Sequence, residues 1–84
     1  MMHFDDQLLR YFGTTDLDTL PAPTIEAGID RMQVDLGLEE DRGRRFALWS
    51  LLYLLGNAPD LDVAFEDAAD REAARNFMDL TDDA

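Results

Sequence analysis

Residues 46–55 read FALWSLLYLL, set between the charged run EEDRGRR (39–45) and the turn signal GNAPD (56–60). Wound as a helix, this stretch places apolar side chains on nearly every side, so it has to be enclosed by protein rather than laid on a surface. It is leucine-rich, too long for an ordinary strand and bounded by helix signals. Glu39, Glu40 and Asp41 suit the positive end of a helix dipole, and the reading is a buried central helix over about 39–55. Gly43, Ala47, Ser50 and Leu54 recur along one face of it. Three of the four are small, which predicts that this face takes the tightest helix crossing, within the chain or across a dimer.

Working outward, Phe4 to Phe12 reads as a first helix stopped by Gly13, with Asp6 and Arg10 spaced as an i,i+4 ion pair. The segment TTDLDTLPAP (14–23) is rich in turn formers and reads as a loop or a single helical turn, anchored by Leu17 and Leu20. A second helix is expected from Ile25 to Leu36. Thr24 is its N-cap, Ile25, Ile29, Met32 and Leu36 its apolar stripe, Gly37 its C-terminal cap and Leu38 the hydrophobic residue packing after the cap. Beyond Gly56, Asp60 or Asp62 can cap a short turn through Phe65. Asp67 can cap a last helix to about Leu80 with Ala69, Ala73, Phe77 and Leu80 as its stripe and Ala74 and Met78 beside it, and Arg71 and Arg75 have Asp67 and Asp79 four residues away. No strand pattern is present. The expectation is an all-α fold, a compact bundle of about four helices in one domain over 1–80, with 81–84 as a disordered acidic tail.

Composition bounds the function. There are 84 residues, 19 acids against seven arginines, no lysine and no cysteine, and a net charge of −12. Residues 1–36 hold seven acids and two arginines, 37–56 three of each, and 57–84 nine acids and two arginines, so both flanks are negative around a neutral centre. Such a surface repels nucleic acid and anionic membrane and favours basic partners. Without cysteine there is no disulfide framework and no thiolate metal site; the single histidine, His3, sits near the start of the chain, and no cofactor is expected. A domain this small buries only about 60% of its unfolded surface, and self-association into a homodimer is one way to reinforce it. The N-terminus carries acids where a secretory signal would carry positive charge, and the apolar run 46–55 is far short of the roughly 20 residues that span a bilayer. The reading is of a cytoplasmic protein.

Motifs that bear chemistry are few. The triplets DLD at 16–18 and 60–62 begin like calcium loops, but the sixth positions are Pro21 and Phe65, where glycine is required, and the twelfth are Ala27 and Arg71, where a glutamate is required. Ser50 is the sole serine, in the middle of the apolar helix, where its hydroxyl is expected to bond the carbonyl one turn back. Size and acidity are those of acyl carrier proteins too, but these carry their prosthetic group on a serine preceded by aspartate. The matching region here is Asp18, Thr19, Leu20, so the likeness ends at size and charge. No enzyme is expected.

Arg42, Arg44 and Arg45 form the one basic patch. It suits a phosphate or an acidic partner, although Glu39, Glu40 and Asp41 lie three or four residues before them and favour a self-paired helix face. Trp49 is the first choice for an interface anchor among aromatics that otherwise read as core. Together these features favour a non-catalytic, protein-interaction or regulatory module with Arg42, Arg44, Arg45 and Trp49 as its interaction residues. The alternatives are a nucleic-acid mimic that blocks a basic DNA- or RNA-binding protein, and a small-ligand carrier or enzyme with an interhelical pocket.

Overall fold

The computed structural model describes residues 4–82. Its elements are α1 (Phe4–Phe12), a 3-10 turn (Leu17–Thr19), α2 (Ala22–Leu38), α3 (Arg42–Leu54), a one-turn α4 (Leu61–Ala64) and α5 (Ala68–Asp82), with no strand among the described residues. The fold is all-α, as the sequence predicts. Thr81 and Asp82 form the last residues of α5; positions 83 and 84 of the expected tail, and His3, lie outside the described residues.

Several boundaries shift for local reasons. α2 starts three residues before Ile25, with Pro21 as N-cap and Pro23 in the first turn, where a missing N–H removes no helical hydrogen bond. Thr24 is therefore not the cap. Gly37 is helical rather than left-handed, α2 runs on to Leu38, and Leu38 is 75% exposed instead of packed. α3 starts at Arg42, not Glu39, because the Asp41 carboxylate caps it by accepting from the Arg44 backbone N–H at 2.9 Å. Its other end behaves as read. Gly56 adopts φ 79°, its N–H bonds the Tyr53 carbonyl and the Asn57 N–H bonds the Leu52 carbonyl, which closes the last turn.

α3 is the centre of the core: Leu48, Trp49, Ser50, Leu51 and Leu52 are all buried. Leu36 and Gln33 of α2 meet Arg45 and Asn57 in reversed order, so α2 and α3 form an antiparallel hairpin. α3 and α5 instead run parallel. Arg42 at the start of α3 binds Asp70 near the start of α5, and Tyr53 near the end of α3 donates to Asp82 at the end of α5 at 2.7 Å. Between them lies an aromatic cluster in which Trp49 stacks on Tyr53 at 5.4 Å and meets Phe65 edge-on at 5.5 Å. Phe77 closes it with edge contacts to Phe46, Trp49 and Tyr53. The buried face of α5 is rotated from the expected stripe: Ala74 is fully buried with Phe77 and Met78 packed nearby, while Ala69 and Ala73 face water and Leu80 is 76% exposed.

The tightest crossing is not on α3. A Cβ placed on Gly28 of α2 would lie 2.7 Å from Cδ1 and 3.0 Å from Cζ of Phe12, with Cε1 nearer still, so α1 rests its last aromatic ring directly on the α2 backbone. A Cβ on Gly43 would meet only the Asp41 carboxylate, two positions back in the chain, at 3.4 Å. The small-residue face of α3 splits instead: Ser50 is fully buried, Leu54 is half exposed and Ala47 lines an open groove.

Candidate functional site

The arginine cluster is taken apart by the fold. Arg42 reaches across to α5, where its Nε and Nη2 form a fork on Asp70 at 2.9 and 3.0 Å and Nη2 lies 3.4 Å from Asp67. Those hydrogen bonds hold the Asp70 carboxyl below its usual range. Arg45 turns inward: Nε donates to the Ala64 carbonyl at 2.5 Å, and Nη1 donates to the carbonyls of Leu36 and, at 3.2 Å, Glu39. The i,i+4 pairs read for this helix, Glu40 with Arg44 and Asp41 with Arg45, do not form, because Asp41 is used as a cap and Arg45 satisfies carbonyls at helix ends. The same holds in α5, where Arg71 donates to the Phe65 and Glu66 carbonyls and Arg75 lies 4.0 Å from Asp62. Arg44 alone of the cluster keeps its guanidinium without a hydrogen bond or ion pair among the described residues.

Trp49 is core. It is 1% exposed, and its indole N–H donates to the Pro59 carbonyl at 2.8 Å, which satisfies the polar edge inside the chain. Ser50 is fully buried too, but its Oγ makes no hydrogen bond, contrary to the expected bond one turn back.

Arg44 faces a groove of about 690 Å³ formed by α1, the C-terminal end of α2 and the first half of α3. Leu38, Ala47 and Leu48 supply its apolar surface; Arg10, Arg44, Asp6, Asp35 and Glu39 its charges. Tyr11 fixes one wall. Its hydroxyl donates to Asp35 Oδ2 at 2.5 Å, and the guanidinium carbons of Arg10 and Arg31 lie 5.8 and 5.9 Å from its ring centroid. Burial, followed by the hydrogen bond to the Asp35 carboxylate, pushes the Tyr11 phenol up to about 12, against the opposing pull of the two arginines. Gln7 stands on the α1 side, with Oε1 shut off from water and without a donor. Asp6 and Arg10 do not pair with each other among the described residues.

Sequence reasoning therefore finds Arg44 and misses Arg10, Gln7, Tyr11, Asp35 and Leu38. No local signal marks them, since the groove exists only where three helices meet. A second depression of about 720 Å³ lies between the α2–α3 link and α5, lined by Val63, Glu40, Glu66 and Asp67 among others; its two arginines, Arg42 and Arg45, are already engaged. Among the described residues, no three side chains of His, Cys, Asp or Glu converge as a metal site, and no helix is long and apolar enough to cross a membrane. No protein-family model, curated protein or solved structure matches the chain.

Proposed function

We propose that the chain is a small, non-catalytic protein-interaction module that takes its partner in the groove between α1, α2 and α3. The observation that carries this reading is the groove itself: an apolar surface made by Ala47 and Leu48 of α3, with Leu38 75% exposed at its edge and Arg44 uncommitted beside it. Apolar anchors ringed by polar groups that exclude water are how small helical modules hold an extended or helical segment of another protein. Ser50, the one serine, lies in the core away from this surface, which fits a binding role better than a nucleophilic one.

The test is peptide display against the full chain, with binders mapped by chemical-shift changes on isotope-labelled protein. Shifts should centre on Leu38, Ala47 and Leu48, and Leu38→Glu, at an exposed position, should lose about ten-fold in affinity with an unchanged circular dichroism spectrum. Binders that map elsewhere, or bind Leu38→Glu equally well, would refute the reading.

A further inference from the structure

We propose that the segment taken by this groove is acidic and apolar, presenting an aspartate or glutamate carboxylate to Arg10 and Arg44 beside an aliphatic side chain seated on Leu38, Ala47 and Leu48. This rests on the docking reading above and adds the chemistry of the partner. With 19 acids to seven arginines, a surface arginine of this chain has carboxylates to choose from. Arg42 and Arg75 take aspartates, and Arg45 and Arg71 take backbone carbonyls. Arg10, Arg31 and Arg44 have no hydrogen bond or ion pair among the described residues, and two of these three line the same groove.

The groove's own acids do not use up that capacity. Asp35 accepts from Tyr11, and Glu39 Oε2 accepts from the Asp41 backbone N–H at 3.3 Å, while Asp6 is exposed one turn from Arg10 without pairing to it. A guanidinium is a planar donor fork matched to a carboxylate, and two of them flanking an apolar surface select a carboxylate next to a hydrophobic side chain.

The net charge of −12 gives this complex an unusual salt signature. Long-range repulsion between the chain and an acidic segment is screened as the Debye length falls to about 8 Å, whereas the contacts inside the groove are screened less. Affinity should therefore hold or rise from about 20 to about 150 mM salt. A basic segment would weaken steeply over the same range.

The experiment uses the full chain and two matched pools of labelled amphipathic peptides, identical in their leucines and differing in aspartate and glutamate against lysine and arginine. Binding is read by fluorescence anisotropy across that salt range and mapped by chemical shift. The acidic pool should bind more tightly, and Arg10→Gln and Arg44→Gln should each cost about ten-fold against it, as loss of one charged fork implies, with unaltered thermal melts. If the basic pool binds in the groove more tightly, the docking reading stands and the acidic chemistry falls. If neither pool shifts Leu38, Ala47 or Leu48, both fall. Concentration-dependent groove shifts without peptide would identify a second copy of the chain as the occupant, and equal shifts with free acetate would identify a small carboxylate; either overturns the proposal.

Discussion

Gly28 and Gly37 lie in the same helix, and alanine at each should have opposite effects on stability. A methyl group at Gly37 would have nothing within 4 Å of it, and the φ there is ordinary for a helix, so Gly37→Ala gains only the helix-propensity and unfolded-chain benefit, about 0.5–1 kcal/mol. At Gly28 the same methyl would sit 2.7 Å from Phe12 Cδ1 and 3.0 Å from Cζ, where ordinary carbon contacts are about 3.5–4.0 Å. The ring has to retreat by about 1 Å, and because Phe12 is 7% exposed it cannot do so without lifting the end of α1 from α2. Overpacking of this kind costs about 1–3 kcal/mol. Three ring atoms overlap, which places the cost in the upper half of that range, and subtracting about 1 kcal/mol of propensity leaves a net loss of about 1–2 kcal/mol. For a domain of this size that lowers Tm by about 5–15 °C, while Gly37→Ala raises it by a few degrees. Urea titration followed by Trp49 fluorescence and by circular dichroism measures both. Adding Phe12→Leu to Gly28→Ala should recover part of the loss, since the double-variant cycle isolates the clash. Equal stabilisation by both alanines would refute the Phe12–Gly28 contact.

Ser50→Ala removes a fully buried hydroxyl that has no hydrogen bond, so it should stabilise by about 1 kcal/mol or leave stability unchanged; a clear loss in urea titration would show that the hydroxyl has a partner. Trp49→Ala should cost about 3–5 kcal/mol by emptying the aromatic cluster, enough to unfold much of the population in thermal melts, whereas an interface residue would leave the melt unmoved. Tyr11 carries a raised phenol pKa, so the folded form keeps a proton that the unfolded form gives up near 10. Its contribution is complete below pH 10 and is lost as pH rises through about 12. Tyr11→Phe should flatten the stability change over that window, and tyrosinate absorbance should resolve a group titrating above the ordinary range; a Tyr11 absorbance midpoint near 10 would contradict this.

What is legible in the sequence follows the range of the interactions concerned. α1 ends at Phe12 as read because Gly13 takes φ 75°, a purely local device, and the enclosure of 46–55 follows from its all-round apolar surface. The start of α2 lies earlier than its pattern suggests because Pro23 reads as a boundary before Thr24, although proline is equally at home inside a first turn. The candidate site is the least legible part. Arg42 finds its partners 25 and 28 positions further along the chain, and Tyr11 bonds Asp35 across 24 positions, so the nearest acids in sequence are poor guides. Leu38 reads as a packed cap residue because helix-end patterns do not show whether another element arrives to cover it.

Arg45 has a kinetic consequence. One guanidinium joins the end of α2, the link that follows it and the end of α4, through carbonyls 9, 6 and 19 positions away. Opening either side leaves part of this half-buried guanidinium without its acceptor, Nε if the α4 turn opens and Nη1 if the α2–α3 link does, so the two segments should lose their amide protection together, as one cooperative unit of exchange. A lysine has no planar fork to span them, and with Arg45→Lys the two segments should exchange at separate rates while the aromatic cluster between α3 and α5 remains protected.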